Sequence, residues 1–427
     1  MLLEKLSLFN TKKEFFIFLM ACGFVLCYSL LIEFNNYKNL TQFDSNIVTA
    51  TILKQYEKTK LTKKGKTKTY QVLKLKSEQG FSFYTTKKKT FPHAKAKRLK
   101  LEIWAGKITF YEFMTSFFSF SKVIHTYKTP TLKQDLNTHI SSSHKNKDIV
   151  SIYQALYTAT PLPRHLQQIF STLGVSHLLA ISGFHLGVLS TLLFFLLKTP
   201  YKFLQNRFVP YRSYKVDSFI IISLSLLGYL LFLETPASIL RAFVMLVIGF
   251  VLYDRGYKII SMWTLFLTAI LILSFFPRLF FSLGFWLSVS GVFYIFLFLI
   301  HFKHLHKIWQ FVLVPVWVYI MMLPPSLFIF ENFSLYHPLS IIWTSLFTLF
   351  YPLSIFLHLI GFGDFLDRSL IWLLNLSADN YNISISWHVG ILFILTSLLA
   401  IRNILFTYIL TLMSISIFIY SIYIGKL

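Results

Sequence analysis

Ten apolar stretches constrain this chain more than any other feature of its sequence. About 20 consecutive apolar residues cross the hydrocarbon core of a bilayer as one helix. Only 14% of the residues are charged, against about a quarter in a typical globular domain. We therefore predict an α-helical polytopic membrane protein with about ten spans, and an interfacial amphipathic helix at 366–378. The candidate spans lie at 14–32, 172–197, 218–233, 236–253, 259–276, 280–300, 309–329, 338–361, 386–400 and 404–424.

Short basic loops predict the orientation of the chain, because Lys and Arg concentrate in cytoplasmic loops. Basic residues precede the first stretch and follow the second: Lys5, Lys12 and Lys13, then Lys198, Lys202, Arg207, Arg212 and Lys215. We expect both groups on the cytoplasmic side of the membrane. The segment 33–171 between them then lies outside. Arg278, alone in an outside loop, is an exception to this pattern.

The segment outside the membrane is strongly basic and patterned as strands. From Phe34 to His165 it has 24 Lys and Arg against 7 Asp and Glu, a net charge of +17 out of +24 for the whole chain. Apolar and polar residues alternate there, which is typical of half-buried strands. Five short strands of this kind predict a small β-barrel of the OB type. The predicted strands are Asn46–Leu53, Thr69–Lys76, Phe81–Thr85, Arg98–Trp104 and Lys107–Tyr111, with a hairpin tip at 63–66.

Composition divides the chain into four predicted segments. They are an N-terminal membrane anchor at 1–33, a basic OB-like extracytoplasmic domain at 34–128, a linker with an amphipathic helix at 129–171, and a transmembrane domain at 172–427. The two cysteines, Cys22 and Cys27, both lie in the anchor. Because residues five apart on a helix point in different directions, we expect no disulfide between them.

A basic outside domain suits a polyanion as its partner, because neutralising phosphates releases condensed counterions. Single strands also stack on exposed aromatic side chains, as on an OB-fold. Two alternatives remain open, since the aromatic residues can form the barrel core and the lysines a solvated face. The candidate DNA contacts are Lys74, Lys76, Lys87, Lys88, Lys89, Lys97, Arg98 and Lys100.

The densest polar signal within an apolar stretch runs from Gly174 to Gly187. Ionisable groups at membrane depth are costly and usually face a bundle interior or a wet cavity. His177 and His185 would lie about 80° apart around one ideal helix, with Ser182 and Gly183 between them. Three interpretations compete: a serine nucleophile with a histidine base, a metal site, and a structural or pore-lining histidine pair. The third is the default interpretation.

Two further segments place polar or small residues within predicted spans. Ser238 and Arg241 begin the fourth stretch. Arg241 either snorkels to the interface or caps a neighbouring carbonyl, or it is a fixed cation that contacts a phosphate backbone. Gly284 and Ser288 belong to a Gly-Phe-Trp-Leu-Ser run, whose small residues also suit plain helix packing.

In their order and approximate spacing, these three segments resemble the competence domain of the ComEC family of DNA-uptake channels. The run His-Leu-Leu-Ala-Ile-Ser-Gly-Phe-His resembles that family's signature, with Phe184 where Leu is common. The run from Ser238 to Met245 is similar to the family's Ser-x-x-Arg-Ala-x-x-Met element. The third run is similar to its Gly-Phe-Gln-Leu-Ser element, with Trp286 where Gln is usual. The resemblance covers about 45–400.

This resemblance implies a channel that passes one DNA strand through the inner membrane during natural transformation. It implies single-stranded DNA as a partner, together with a surface or periplasmic DNA receptor, a separate nuclease, a cytoplasmic motor or strand-binding protein, and a homo-oligomer as further candidates. The implied channel residues are His177, Ser182, Gly183, His185, Ser238, Arg241, Gly284 and Ser288.

Many family members also have a C-terminal metallo-β-lactamase-like domain, which we do not expect here. The histidines His301, His304 and His306 lack the Asp and His that would complete such a motif, and no phosphate-binding Gly-x-x-x-x-Gly-Lys loop occurs. We therefore expect no catalytic activity, no metal and no cofactor. The alternatives from other classes are a multi-pass enzyme that acts on lipid or envelope polymer through Ser182 or a histidine, and a membrane scaffold that binds an anionic polymer.

Overall fold

The structure is a computed structural model that describes residues 11–61, 67–91, 98–127, 132–179, 183–208, 211–233, 237–257, 260–376 and 379–425. The predicted hairpin tip at 63–66 lies outside these residues. The contacts divide the chain into two compact units. The sheet unit contains Phe15–Arg164 and Leu271–Ser282, and the helical unit contains Met1–Glu14, His165–Ile270 and Leu283–Leu427.

The sheet unit begins with a long apolar helix, α1 (Lys12–Thr41), and continues into six strands. Strands β1 to β4 are neighbours in an antiparallel arrangement, with β3 and β4 on either side of the β1–β2 pair. Alternate residues such as Leu73, Leu75, Leu99 and Leu101 are buried in one hydrophobic core, because successive side chains of a strand point to opposite faces. The strands are β1 (Asn46–Leu61), β2 (Thr67–Ser77), β3 (Ser82–Lys88), β4 (Arg98–Ile103), β5 (Phe117–Phe118) and β6 (Ser121–Thr126).

The strand predicted at Lys107–Tyr111 is wrong, because this stretch leads into a short helix, α2 (Phe110–Met114). Thr109 and Glu112 form a capping box, in which the Thr109 side chain accepts from the Glu112 N–H and the Glu112 carboxylate accepts from the Thr109 N–H. This reciprocal bonding satisfies the free N–H groups of a helix start. The same hydrogen bonds from Thr109 lower the pKa of Glu112 below its ordinary value.

Strands β5 and β6 both belong to the segment Phe117–Thr126, which sequence reasoning missed. Its first part pairs in parallel with β3, with Phe117 opposite Phe83, and the Ser119 N–H donates to the Tyr84 carbonyl over 2.9 Å. Its second part pairs antiparallel with β4, with Val123 opposite Leu101. This one segment therefore contacts both outer strands of the four-strand arrangement.

The stretch predicted as a polar linker is largely helical. Helix α3 (Leu132–Ser143) packs against α4 (Lys147–Thr158), which lies in the segment 129–171 where an amphipathic helix is predicted. Asn137 connects the two helices, since its side-chain oxygen accepts from the Thr158 hydroxyl over 2.7 Å. This hydrogen bond holds α3 and α4 together in the part of the chain that follows the strands.

Arg278, the exception to the charge pattern, is paired within the sheet unit. Its guanidinium donates to both carboxylate oxygens of Glu33 on α1, over 2.7 and 2.6 Å, and lies 4.6 Å from the ring centroid of Phe113. The two charged side chains are only 18% and 17% exposed. Arg278 is therefore the partner of a buried carboxylate, which explains its position in a loop predicted to lie outside.

The helical unit consists mainly of long apolar helices joined by short loops. A two-stranded pair, β7 (Asn332–Phe333) and β8 (Tyr381–Asn382), joins two of its loops. The helices are α5 (Arg164–Thr172), α6 (Ser176–Leu179), α7 (Gly183–Phe208), α8 (Tyr214–Phe232), α9 (Ala237–Asp254), α10 (Met262–Phe275), α11 (Leu283–His301), α12 (Lys307–Phe330), α13 (Ser340–Leu359), α14 (Asp367–Leu374), α15 (Trp387–Ala400) and α16 (Ile404–Ile424).

Each of the ten predicted spans overlaps a helix, the first of them α1 of the sheet unit. Among the described residues, seven helices are long and apolar enough to cross a membrane. Two further apolar helices, Met262–Phe275 and Trp387–Ala400, have 14 residues each, shorter than the roughly 20 that a full crossing needs. The chain is thus a multi-pass, mostly helical protein with a small sheet unit, and the number of ten spans stays a prediction.

Hydrogen bonds between loops show which helix ends lie together in the helical unit. At one end, Asn332 donates to the Ser171 hydroxyl over 3.1 Å, and Asn380 donates to the Thr172 hydroxyl over 2.6 Å. At the other end, His301 hydrogen-bonds the Ala400 carbonyl over 2.7 Å. The loops after α12 and α14 therefore share the end where α5 stops, and the loops after α11 and α15 share the opposite end.

Helix α14 falls within the segment predicted as an interfacial helix. The ring of Trp372 in α14 lies 6.1 Å from that of Trp343 in α13. A tight contact follows α13, since the His358 ring lies 3.1 Å from where a Cβ on Gly363 would stand. The chain therefore turns back on α13 over these residues, and a position at the interface stays a prediction.

Candidate functional site

The signature segment does not start a continuous span at 172, as the sequence predicted. Helix α5 ends at Thr172, Gly174 adopts a left-handed conformation with φ of 71°, and the short α6 follows. Residues 180–182 lie outside the described structure, and α7 begins at Gly183. His177 therefore lies in α6 and His185 in α7.

Gly174 allows the turn between α5 and α6 to pack closely against His337. A Cβ at this position would lie 3.1 Å from the Cα of His337, so only glycine combines the left-handed φ with such a close approach. The His337 ring in turn hydrogen-bonds the Ser171 carbonyl over 3.0 Å. The loop before α13 is thereby fixed against the end of α5, directly beside the signature segment.

Both histidines of the signature contact α13. The Nε2 atom of His177 lies 3.3 Å from the Thr344 hydroxyl. The buried ring of His185 meets Phe347 and Tyr351 edge-on, with centroid distances of 5.0 and 4.9 Å. Residues 344, 347 and 351 follow the spacing of one helix face. The structure thus brings the two histidines together on one face of α13.

Arg241 is a buried cation in the first turns of α9. The residue is only 6% exposed, and its guanidinium carbon lies 5.8 Å from the ring centroid of Phe285 in α11. Among the described residues its buried Nε atom has no hydrogen-bond partner. An unpaired buried charge is costly. The snorkelling alternative requires the charged head to reach water, which burial of this side chain does not favour.

Helix α7 reaches α9 beside this arginine. A Cβ on Gly183 would lie 3.0 Å from the Cβ of Ala242, so glycine permits the close approach of the two helices. Phe285 is completely buried, whereas Gly284 and Trp286 on either side of it are exposed. Of the third motif, it is therefore Phe285 that faces the guanidinium. Ser288 is half-buried on α11, Ser238 is half-buried at the start of α9, and Ser182 lies outside the described residues.

Several residues of this site were missed by sequence reasoning. Thr344, Phe347 and Tyr351 lie in a mostly apolar stretch without a recognised motif, where nothing distinguishes a residue that faces the site from one that faces lipid. His337 lies in a loop and had no motif around it. Phe285 lies within a recognised motif, but sequence reasoning assigned its neighbours Gly284 and Ser288 to the site instead.

The predicted DNA contacts differ in where they lie on the strands of the sheet unit. Lys74, Lys76 and Lys100 alternate with buried leucines, so they lie on the face away from the core. The Lys74 ammonium lies 5.3 Å from the ring centroid of Tyr84 on that face. Arg98 lies there too, pairing with Glu78 and lying 5.6 Å from the centroid of Tyr127.

The other predicted contacts differ in their surroundings. Lys88 and Lys89 are exposed at the end of β3, and Lys97 lies outside the described residues. Lys87 is half-buried and donates to the Ser121 carbonyl. Burial lowers the pKa of Lys87 below its ordinary value, because desolvation disfavours the charged form.

Within the described part of the chain, no group of three or more His, Cys, Asp or Glu is placed to hold a metal ion. The contacts of the two signature histidines include the Thr344 hydroxyl and the rings of Phe347 and Tyr351. These side chains are not a ligand set typical of a metal centre.

The fold and the site define a class: a polytopic membrane protein with a histidine pair and a buried arginine set among apolar helices. The sequence model of the competence protein family matches residues 159–425, which is more than half of the chain. The chain therefore belongs to the competence protein family, the ComEC family expected from the three motifs. No significant match was found among curated proteins, and none among solved structures.

Proposed function

We propose that the helical unit conducts single-stranded DNA across the cytoplasmic membrane during natural transformation. Membership of the competence protein family supports a role in DNA uptake. The observation that carries the finer proposal is Arg241, a buried guanidinium whose Nε has no partner among the described residues. Arginine is the side chain best suited to phosphate recognition, because its planar fork matches phosphate geometry.

The site has few other polar groups, which suits passage of a strand better than tight binding of it. A strand must bind well enough to enter a path and weakly enough to leave it. Arg241 lies against the ring of Phe285, and His185 lies against the ring of Phe347. We propose that a phosphate contact from Arg241, among apolar side chains, guides the strand without holding it tightly.

The sheet unit supports the proposal as a receiving domain for the incoming strand. We propose that it is a closed OB-type barrel, because Phe117–Thr126 bonds to β3 on one side and to β4 on the other. OB-folds bind single strands through a basic groove and aromatic platforms. The face with Lys74, Lys76 and Lys100 has this character.

We predict that this face supplies phosphate contacts. Replacing Lys74, Lys76 and Lys100 together by Gln should lower the slope of log K against log salt by about 0.7 for each lost contact, roughly 2 in total. The measurement is binding of a fluorescent oligothymidylate to the whole chain in neutral-lipid nanodiscs.

A matched control removes three lysines from the helical segment of the same unit, Lys133, Lys145 and Lys147. The control variant has the same net charge as the sheet variant, so it should keep the slope of the unaltered protein. An equal change in both variants would mean that only the overall charge matters.

Transport itself is tested by deleting the protein and following labelled DNA. We expect double-stranded label to accumulate outside the cytoplasmic membrane, while no label becomes resistant to external nuclease in the cytoplasm. Unchanged entry into the cytoplasm would disprove the channel. If label entered normally while envelope lipids or polymers changed, the enzyme alternative would gain support, and reactivity of the purified chain with serine-directed probes would then test it.

The remaining parts of the proposal concern partners and location. We propose a bacterial inner membrane position with the sheet unit outside, in agreement with the basic loops at 198–215 and 303–307. A DNA receptor outside, a separate nuclease and a cytoplasmic motor or strand-binding protein would supply the steps for which this chain has no recognised motif. A homo-oligomer is a further proposal.

A further inference from the structure

A cavity of about 650 Å³ lies at the end of the helical unit opposite the signature segment. Ile260, Leu299 and Leu305 form its apolar wall, and Lys303, His306 and Lys307 bring basic groups to it. Its position follows from the turn between α11 and α12, which is on the predicted cytoplasmic side. The DNA-uptake proposal makes no use of these residues.

The basic groups of the cavity are available to a ligand. Lys303 and Lys307 are exposed, and neither makes an ion pair within the described part of the chain. Both ammonium groups line the same cavity, and no carboxylate is among the described residues that line it, so the cavity attracts an anion. Lysine binds phosphate as a point charge.

The turn that carries Lys303 is held in a defined shape. The side-chain amide of Gln310 donates to the Leu305 carbonyl over 3.0 Å, and lies 3.4 Å from the carbonyls of Phe302 and Lys303. His306 caps α12, its Nδ1 accepting from the Ile308 N–H over 3.4 Å. A preorganised turn loses less entropy when a ligand binds.

The apolar wall decides which kind of phosphate the cavity suits. A nucleotide or a free phosphate would leave Ile260 and Leu299 in contact with water, whereas an acyl chain would cover them. Trp309, 59% exposed on the first turn of α12, is the type of residue found at the level of lipid headgroups. Basic pockets between membrane helices on the cytoplasmic side recognise anionic lipid headgroups.

We propose that this cavity binds an anionic phospholipid, with its phosphate on Lys303 and Lys307 and an acyl chain along Ile260 and Leu299. The lipid would connect α11 and α12 to the inner leaflet. None of the residues that line this cavity is among those assigned to the strand path, so the proposal does not depend on the channel function.

The test is titration of the whole chain, in phosphatidylcholine nanodiscs, with dioctanoyl phosphatidylglycerol, read out by native mass spectrometry. A surface charge near anionic lipid contributes about 5-fold in affinity, so K303Q/K307Q should bind roughly 30-fold more weakly. The charge-matched control K198Q/K215Q, in another basic loop of the same unit, should keep its affinity. Equal losses in both variants would overturn the proposal, because they would indicate a general surface field.

A second pair of variants tests the cavity without changing charge. Ile260→Trp adds bulk to its apolar wall, and Ile308→Trp places the same bulk at an exposed position of α12 that does not line it. We expect the first to lower phosphatidylglycerol binding and the second to have no effect. If K303Q/K307Q instead weakened oligothymidylate binding and left phosphatidylglycerol binding intact, the cavity would belong to the DNA path and the lipid proposal would be wrong.

Discussion

Arg241→Met should reduce transformation by between about 10- and 100-fold without lowering the stability of the protein. A hydrogen bond to a charged group contributes about 1.5–3 kcal/mol, so loss of the phosphate contact accounts for a change of this size. Methionine has a similar length, and replacing a buried charge by an apolar side chain is often neutral or stabilising. The measurements are transformation frequency and the thermal unfolding midpoint of the purified chain.

The combination of these two results is what makes the prediction specific. A purely structural arginine would lose stability and function together, whereas a strand contact loses function alone. Arg255→Met is the matched control, because Arg255 is an exposed arginine just beyond the end of α9. Normal transformation in Arg241→Met, at normal protein level, would show that the guanidinium does not contact the strand.

Arg278→Gln should destabilise the sheet unit by about 3 kcal/mol, because it leaves the carboxylate of Glu33 buried and unpaired. The two side chains are more than four-fifths buried, so water cannot replace the lost partner. The double variant Glu33→Gln with Arg278→Gln removes both charges and should recover most of this loss. Hydrogen exchange of the strands and thermal unfolding of the whole chain measure the four members of this cycle.

A second ion pair provides the comparison. Arg212 donates to Asp217 over 2.7 Å, and the Asp217 side chain is only 8% exposed. Asp217 also accepts from the Tyr201 hydroxyl over 2.6 Å, and this hydrogen bond remains when the arginine is replaced. Arg212→Gln should therefore destabilise the protein less than Arg278→Gln. Equal effects at the two sites would contradict the argument that a remaining hydrogen-bond donor limits the loss.

Much of the fold could be predicted from local patterns. Apolar length located a helix in each of the ten predicted spans, and alternation located β1 to β4. The errors occurred where local patterns conflict with tertiary contacts. Phe110–Met114 has strand-like composition, yet the Thr109–Glu112 capping box makes it a helix. Phe117–Thr126 was missed because its pairing depends on two strands that precede it in the chain.

The candidate site shows the same division. The motifs identified His177, His185 and Arg241 as residues of interest, but not what they contact. Their neighbours Thr344, Phe347 and Phe285 come from helices more than 40 residues away in sequence. Within a uniformly apolar helix, periodicity carries little information about which face meets a neighbour, because lipid and protein interior are equally apolar.

The sequence by itself determined that the chain is a multi-pass membrane protein of the competence family with a basic domain after its first apolar helix. Hydropathy, charge and short motifs suffice for this, because each depends on residues close together in the chain. Only the tertiary structure decided that α5 ends at Thr172, ahead of the two signature histidines, that both histidines face α13, and that Arg278 pairs with Glu33. These features depend on packing between distant segments, where close approach at Gly174 and Gly183 and burial of charge select one arrangement.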